Sequence, residues 1–193
     1  MRTESSSSDE IVATAPAPGG PRRMARPFVV QVAALRKVAG TTRHEVRHGV
    51  IDGLGAVGVV VPDGSEIIAD LNLSSYQGGI AAEGTVSAPW TGECRRCGGP
   101  VSGTVTASVR EHYAPLGEGD EDAYLLEGDE LDLEPLARDA VLLDLPLAPL
   151  CSVDCRGLCP QCGANWNLVT CDCVPTGDPR WSALDALRDP PSD

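Results

Sequence analysis

Eight cysteines in closely spaced pairs constrain this chain more than any other feature: Cys94-Arg95-Arg96-Cys97, Cys151-x-x-x-Cys155, Cys159-Pro160-Gln161-Cys162-Gly163 and Cys171-Asp172-Cys173. Such spacings bring two thiolates onto one ion, and eight thiolates complete two tetrahedral sites of the all-cysteine kind. The run from Cys159 to Cys173 predicts a local site with a small loop-closure cost. Cys94, Cys97, Cys151 and Cys155 are then preferred as a non-local site across 53 intervening residues, over an interleaved set such as Cys94, Cys97, Cys159 and Cys162. A bound zinc supplies on the order of 10 kcal/mol, which outweighs that closure. In the Cys-Pro-Gln-Cys-Gly segment the turn directs backbone N–H groups at the first thiolate, and Gly163 lets the chain curl around the ion. Two Zn2+ per chain are expected, as staples of a binding module.

Catalytic zinc keeps an open position and mixes in histidine or carboxylate. The histidines here are His44, His48 and His112, and they form no HExxH-like array. A solvated strand or turn is the expected setting of His44 and His48. No GxSxG, phosphate-binding loop or dinucleotide fingerprint occurs, so we expect neither an enzyme nor a small-molecule substrate. A zinc and thiol redox sensor is a further alternative, because CxxC pairs oxidise reversibly. The N-terminus has no apolar core behind a basic start, and no apolar run approaches the roughly 20 residues of a membrane span. A cytoplasmic protein without membrane contact is expected, and in that reducing compartment paired cysteines are metal ligands rather than disulfides.

Charge is unevenly placed. The formal net charge is -13, with +4 in residues 1–50 and -17 in residues 51–193. Arg22, Arg23 and Arg26 close a tail, residues 1–26, that is rich in Ser, Ala, Pro and Gly and is expected to be disordered. That tail reads as a solvated linker or as an arm that orders on an anionic partner. Arg95, Arg96 and Arg156 lie beside cysteines of the non-local site. They either offset the charge of a four-thiolate zinc or present guanidinium groups to phosphates. The acidic body opposes broad contact with nucleic acid and suits a basic protein instead.

Short apolar runs rich in β-branched residues predict strands over 28–32, 57–61, 66–73, 80–88 and 101–111, with a short edge strand around 124–126. Asp52-Gly53 and Asp63-Gly64 mark turns. No βαβ alternation appears, so the fold class is α+β and β-rich: an antiparallel sheet or partly open barrel. A helix is expected over 132–145, capped by Asp132, with Leu133, Leu136, Ala140 and Leu143 on one face and Pro146 ending it. A second, short helix is expected after Asp178-Pro179, carrying Trp181, Leu184 and Leu187. The domain plan is thus a tail to residue 26, a β-rich domain over 27–157 with the non-local zinc site, and a cysteine-rich module with the terminal helix over 158–193.

Several of these segments together resemble the bacterial YceD family, linked to accumulation of large-subunit ribosomal RNA. The matching pieces are Glu93-Cys94-Arg95-Arg96-Cys97, the acidic loop, the helix ending in Leu145-Pro146-Leu147-Ala148-Pro149-Leu150, and Gly157-Leu158-Cys159-Pro160-Gln161-Cys162-Gly163-Ala164-Asn165-Trp166-Asn167 with Cys171-Asp172-Cys173. The resemblance implies a non-enzymatic factor needed for 23S rRNA accumulation or processing and for large ribosomal subunit assembly. Its implied partners are 23S rRNA or a precursor large subunit; the resemblance assigns no contact residues, and the charge pattern above offers Arg22, Arg23, Arg26, Arg95, Arg96 and Arg156 as candidates. The alternative is an acidic adaptor that binds a basic ribosomal protein.

Overall fold

The computed structural model describes residues 26–117, 122–174, 180–181 and 184. In chain order it places β1 (Val29–Gln31), α1 (Ala33–Arg36), β2 (Thr42–Gly49), β3 (Gly55–Ala56), β4 (Val59–Val60), β5 (Ile67–Tyr76), β6 (Gly79–Glu93), β7 (Pro100–Ala114), β8 (Tyr124–Leu125), β9 (Glu130–Asp132) and α2 (Glu134–Asp144). The β6–β7 hairpin is the spine, antiparallel from Ile80 opposite Tyr113 to Glu93 opposite Pro100. β5 pairs with the first part of β6, and β2 lies outside β5. Near the far end of β6, Val59 of β4 pairs with Gly92, and β3 folds back on β4. The sheet does not close into a barrel. The fold is therefore strand-rich and antiparallel, as the sequence predicts, with one exception: β8 runs parallel to β7.

One face of this sheet is apolar because its strands alternate. Ile67, Ala69, Leu71 and Leu73 of β5 point inward with Ile80, Ala82, Val86 and Ala88 of β6. A second layer covers them. It consists of α2 and of a separate antiparallel ribbon of β1 and β9, in which Val30 pairs with Leu131. Burying each large apolar side chain in this core contributes about 1.5–3 kcal/mol before conformational entropy is set against it.

The covering layer departs from the sequence reading in two ways. The helix begins at Glu134, not at residue 132, because Leu131 and Asp132 are used as strand β9. Asp132 accepts the N–H of Glu134 at 3.0 Å without being the geometric cap, which is Leu133. The buried face is Leu136, Ala137, Ala140 and Val141, whereas Leu143, expected inside, is 88% exposed. Pro146 does end the helix, since it forces Leu145 into extended geometry at ψ 135°.

The expected turns are present, with Gly53 and Gly64 in the left-handed region that glycine tolerates. β2 and α1 are elements that the periodicity did not predict, although β2 supplies the solvated strand expected for His44 and His48. The tail through residue 25 and most of the expected terminal helix lie outside the described residues.

Candidate metal centres

The β6–β7 hairpin is closed by the Cys94–Cys97 turn. Gly98 N–H donates to Cys94 C=O at 2.8 Å, and Cys94 N–H donates to Gly99 C=O at 2.8 Å. The Cys159–Cys162 turn repeats this pattern: Gly163 N–H to Cys159 C=O at 2.9 Å, and Cys159 N–H to Ala164 C=O at 2.8 Å. Both glycines have φ near +70°, 68° at Gly98 and 73° at Gly163. A side chain at either position would strain the left-handed turn that folds backbone donors towards the first thiol.

Two quartets result. The Sγ atoms of Cys94, Cys97, Cys151 and Cys155 lie within 4.8 Å of one another, and so do those of Cys159, Cys162, Cys171 and Cys173. Cys94 and Cys155 Sγ are 3.8 Å apart, and Cys97 and Cys151 Sγ are 3.6 Å apart, well beyond a disulfide bond. Each quartet can hold a metal ion. The partition into one non-local and one local set is the one expected from the spacings.

The first quartet joins the hairpin tip to the segment after α2, and backbone bonds fix the joint. Arg95 N–H donates to Pro149 C=O at 2.9 Å. The Arg96 guanidinium donates to the carbonyls of Val153 at 3.2 Å and Cys155 at 2.8 Å. Gly157, at φ 77°, brings the chain so close that an added Cβ would sit 3.1 Å from Arg96 O. Arg96 is therefore a clamp between the two halves of the site. Arg95 and Arg156 remain exposed at its surface.

Electrostatics suit a dication. The Cys94 thiol is drawn down to about 6 by the backbone N–H of Cys151, against burial, with help from those of Arg96 and Cys97. Cys159 is drawn down to about 6 by the backbone N–H groups of Cys162 and Gln161. Cys151 is pushed up to about 12, first by Cys155 and then by Cys97, and Cys173 to about 12, first by Cys162. Thiolate is thus favoured at Cys94 and Cys155 in the first set and at Cys159 in the second, while crowding opposes it at Cys151 and Cys173. A cation in the centre removes that opposition, so metal uptake must displace protons.

The two quartets are linked by a single dipeptide that the spacing argument passed over. Trp166 Nε1–H donates to Cys171 Sγ at 3.3 Å, in the second quartet. Its neighbour Asn167 donates from Nδ2 to Cys155 Sγ at 3.2 Å, in the first. Asn167 is itself oriented, because its Oδ1 accepts the Arg156 N–H at 2.8 Å and its Nδ2 also donates to Asn165 Oδ1 at 2.8 Å. Partners that orient ligands in this way tune metal affinity by about 10–100-fold. An Asn167→Ala chain should therefore still take up two equivalents but hold the first-quartet metal at least about tenfold more weakly. Competition with a chromophoric chelator reads this; an unchanged affinity would mean that the amide is only a packing contact.

The other predicted site residues are dispersed. Arg22 and Arg23 lie outside the described residues. Arg26 is far from the cysteines and pairs with Asp132 at 2.8 Å and Glu130 at 3.4 Å. Its side chain stays largely exposed in these surface pairs beside acidic β9. His44 meets Asp70 at 2.6 Å, and His48 meets Glu66 at 3.4 Å, all at exposed positions, with both histidines on β2. Among the described residues, the candidate metal groups contain cysteine alone.

An antiparallel sheet carrying a cysteine turn at a hairpin tip, faced by a cysteine pair after a covering helix, defines a β-rich module whose two cysteine quartets could hold metal ions. The family model for the large ribosomal RNA subunit accumulation protein YceD matches residues 82–188. The chain is 34% identical over 185 residues to the protein Rv2926c of Mycobacterium tuberculosis, covering 91% of this chain and 88% of the relative. It is 33% identical over 70 residues to YlbN of Bacillus subtilis, covering 35% of this chain and 41% of that protein. A 47-residue stretch is 40% identical to the chloroplastic large ribosomal RNA subunit accumulation protein YCED homolog 1 of Arabidopsis thaliana, covering 24% of this chain and 15% of that protein. The chain belongs to the YceD family. No solved structure matches it.

Proposed function

We propose that this chain is a non-enzymatic factor that promotes accumulation of 23S rRNA during large-subunit assembly, and that two zinc ions hold its rRNA-contacting surface in shape. The observation that carries this reading is where the exposed basic groups sit. Arg156 lies directly after Cys155 and lines an open groove of about 470 Å³ with Trp166 and Asn167, the dipeptide that bridges the two quartets. A guanidinium beside a half-buried indole offers a phosphate contact and a stacking face in one place. Arg95 adds charge at the hairpin tip. The names of the family and of its Arabidopsis thaliana relative support a role connected with the large ribosomal RNA.

Zinc is the ion that the donor set favours. Four thiolates at Zn–S of about 2.3 Å place tetrahedral sulfurs about 3.8 Å apart. The separations of 3.8 and 3.6 Å in the first quartet match that spacing. When bound, zinc supplies charge compensation and cross-linking, and the residues themselves make the contacts.

The test is cross-linking in growing cells, recovery under denaturing conditions and sequencing of attached RNA. Enrichment of a discrete 23S rRNA region supports the proposal. Arg156 is bonded within the chain through its backbone N–H. Arg156→Glu should therefore leave the fold intact, deplete that region, and lower the salt slope of binding to the matching transcript by about 1. Equal RNA recovery from the variant would remove the groove from the mechanism.

A further inference from the structure

A cavity of about 290 Å³ opens between β7, β8 and β9, away from the cysteines. Its wall includes Tyr113 and Tyr124, whose rings stack at 5.3 Å between centroids. Tyr124 donates its hydroxyl to Asp139 at 2.8 Å. Tyr113 does not have such an outlet: the residue is 1% exposed, and its Oη is buried without a hydrogen-bond partner among the described residues. An unpaired buried hydroxyl costs about 1–3 kcal/mol, so a group that completes it is favoured there.

The remaining lining is charged. Glu127, Glu130 and Asp132 face the cavity with Arg26. Arg26 bridges Glu130 and Asp132, and Gln31 donates to Glu130 at 3.0 Å. Glu127 has no ion-pair partner among the described residues. Three carboxylates against one guanidinium leave a formal charge of -2, which repels phosphate and selects a cation. Arg26 already shows how a planar fork fits two of these carboxylates, and an aromatic wall adds a cation–π face.

We propose that this cavity docks an arginine side chain of a basic polypeptide, seated beside Arg26, with Glu127 pairing the guanidinium and Tyr113 Oη accepting an N–H. This deepens the ribosomal reading, on which it rests for context, by naming a protein partner class and a surface separate from the Arg156 groove. The ligand is an arginine rather than a lysine because a fork can engage Glu127 and Tyr113 together, whereas an ammonium is a point charge.

The experiment titrates the full-length, metal-loaded chain with a nine-residue arginine peptide and with its lysine counterpart, at fixed physiological salt, by calorimetry. The arginine peptide should bind at least about tenfold more tightly. Glu127→Gln and Tyr113→Phe should each weaken the arginine peptide about fivefold or more and narrow its advantage over lysine. Tyr113→Phe removes one buried oxygen and keeps the ring, so its thermal unfolding should be unchanged or slightly raised. Equal affinity for the two peptides, or indifference to both variants, overturns the proposal and leaves only a diffuse acidic surface. Transcript binding is measured on the same variants. Loss of peptide binding with RNA binding intact locates the failure in the cavity alone, and loss of RNA binding in Arg156→Glu with peptide binding intact assigns the two ligands to separate faces.

Discussion

A Cys94→Ser chain is expected to retain one metal equivalent in place of two and to unfold at a temperature lower by about 6–12 °C, the shift that a loss of about 3 kcal/mol produces in a chain of this size. The first quartet ties the tip of the longest hairpin to the segment after α2, two regions that otherwise meet there through the Arg95–Pro149 and Arg96–Cys155 hydrogen bonds. Removing one thiolate leaves that joint to the hydrogen bonds of Arg95, Arg96 and Asn167. Cys171→Ser should also lose one equivalent but cost less. Its quartet closes a short local loop, and what reaches the rest of the fold passes through Trp166 and Asn167. That link is worth about one decade in affinity, or about 1.4 kcal/mol. Metal analysis after desalting, with thermal unfolding of both variants, decides the matter. Equal melting shifts would mean that the two quartets act as one cooperative unit.

The parts of this architecture legible in the sequence are those set by short-range chemistry. Paired cysteines a few residues apart had few ways to combine, and glycines after Asp52 and Asp63 marked turns because only they tolerate the φ required. β5 showed alternation because Leu71 and Leu73 fall on one face. β2 was hidden for the opposite reason. Its inward positions are Arg43, Glu45 and Arg47, opposite Leu73, Leu71 and Ala69. Glu45 holds both arginines, at 2.7 and 2.9 Å. Charge on the inner side of an edge strand discourages pairing with another chain, and it erases the apolar rhythm by which strands are recognised. The helix start was misplaced because Asp132 resembles a cap, while pairing with Val29, about a hundred residues away in sequence, claimed it for β9. The tyrosine cavity could not be read at all. Arg26, Tyr113 and Glu127 meet there only through tertiary structure.

Phe28→Ala should be the most damaging change remote from the cysteines, costing about 3–5 kcal/mol. Phe28 is the sole phenylalanine in the chain and is 1% exposed. It leads into β1, and its carbonyl accepts the Leu133 N–H at 3.0 Å just before α2. Gly49 at the end of β2 makes room for it, since a Cβ there would lie 2.6 Å from the phenyl ring. Truncation thus opens a cavity where the covering ribbon, the edge of the sheet and the start of the helix converge, and close neighbours on rigid strands have little freedom to fill it. For a chain of this size the melting temperature should fall by about 6–20 °C. Below that temperature both metal equivalents should remain, because the cysteine quartets do not belong to the cluster around Phe28. Cys94→Ser loses metal along with stability, and Phe28→Ala should lose stability alone. If Phe28→Ala instead released metal while still folded, the core and the hairpin tip would have to be coupled through the length of β6 and β7, and the hydrogen bonds of Arg95 and Arg96 would not suffice to hold the first quartet in place.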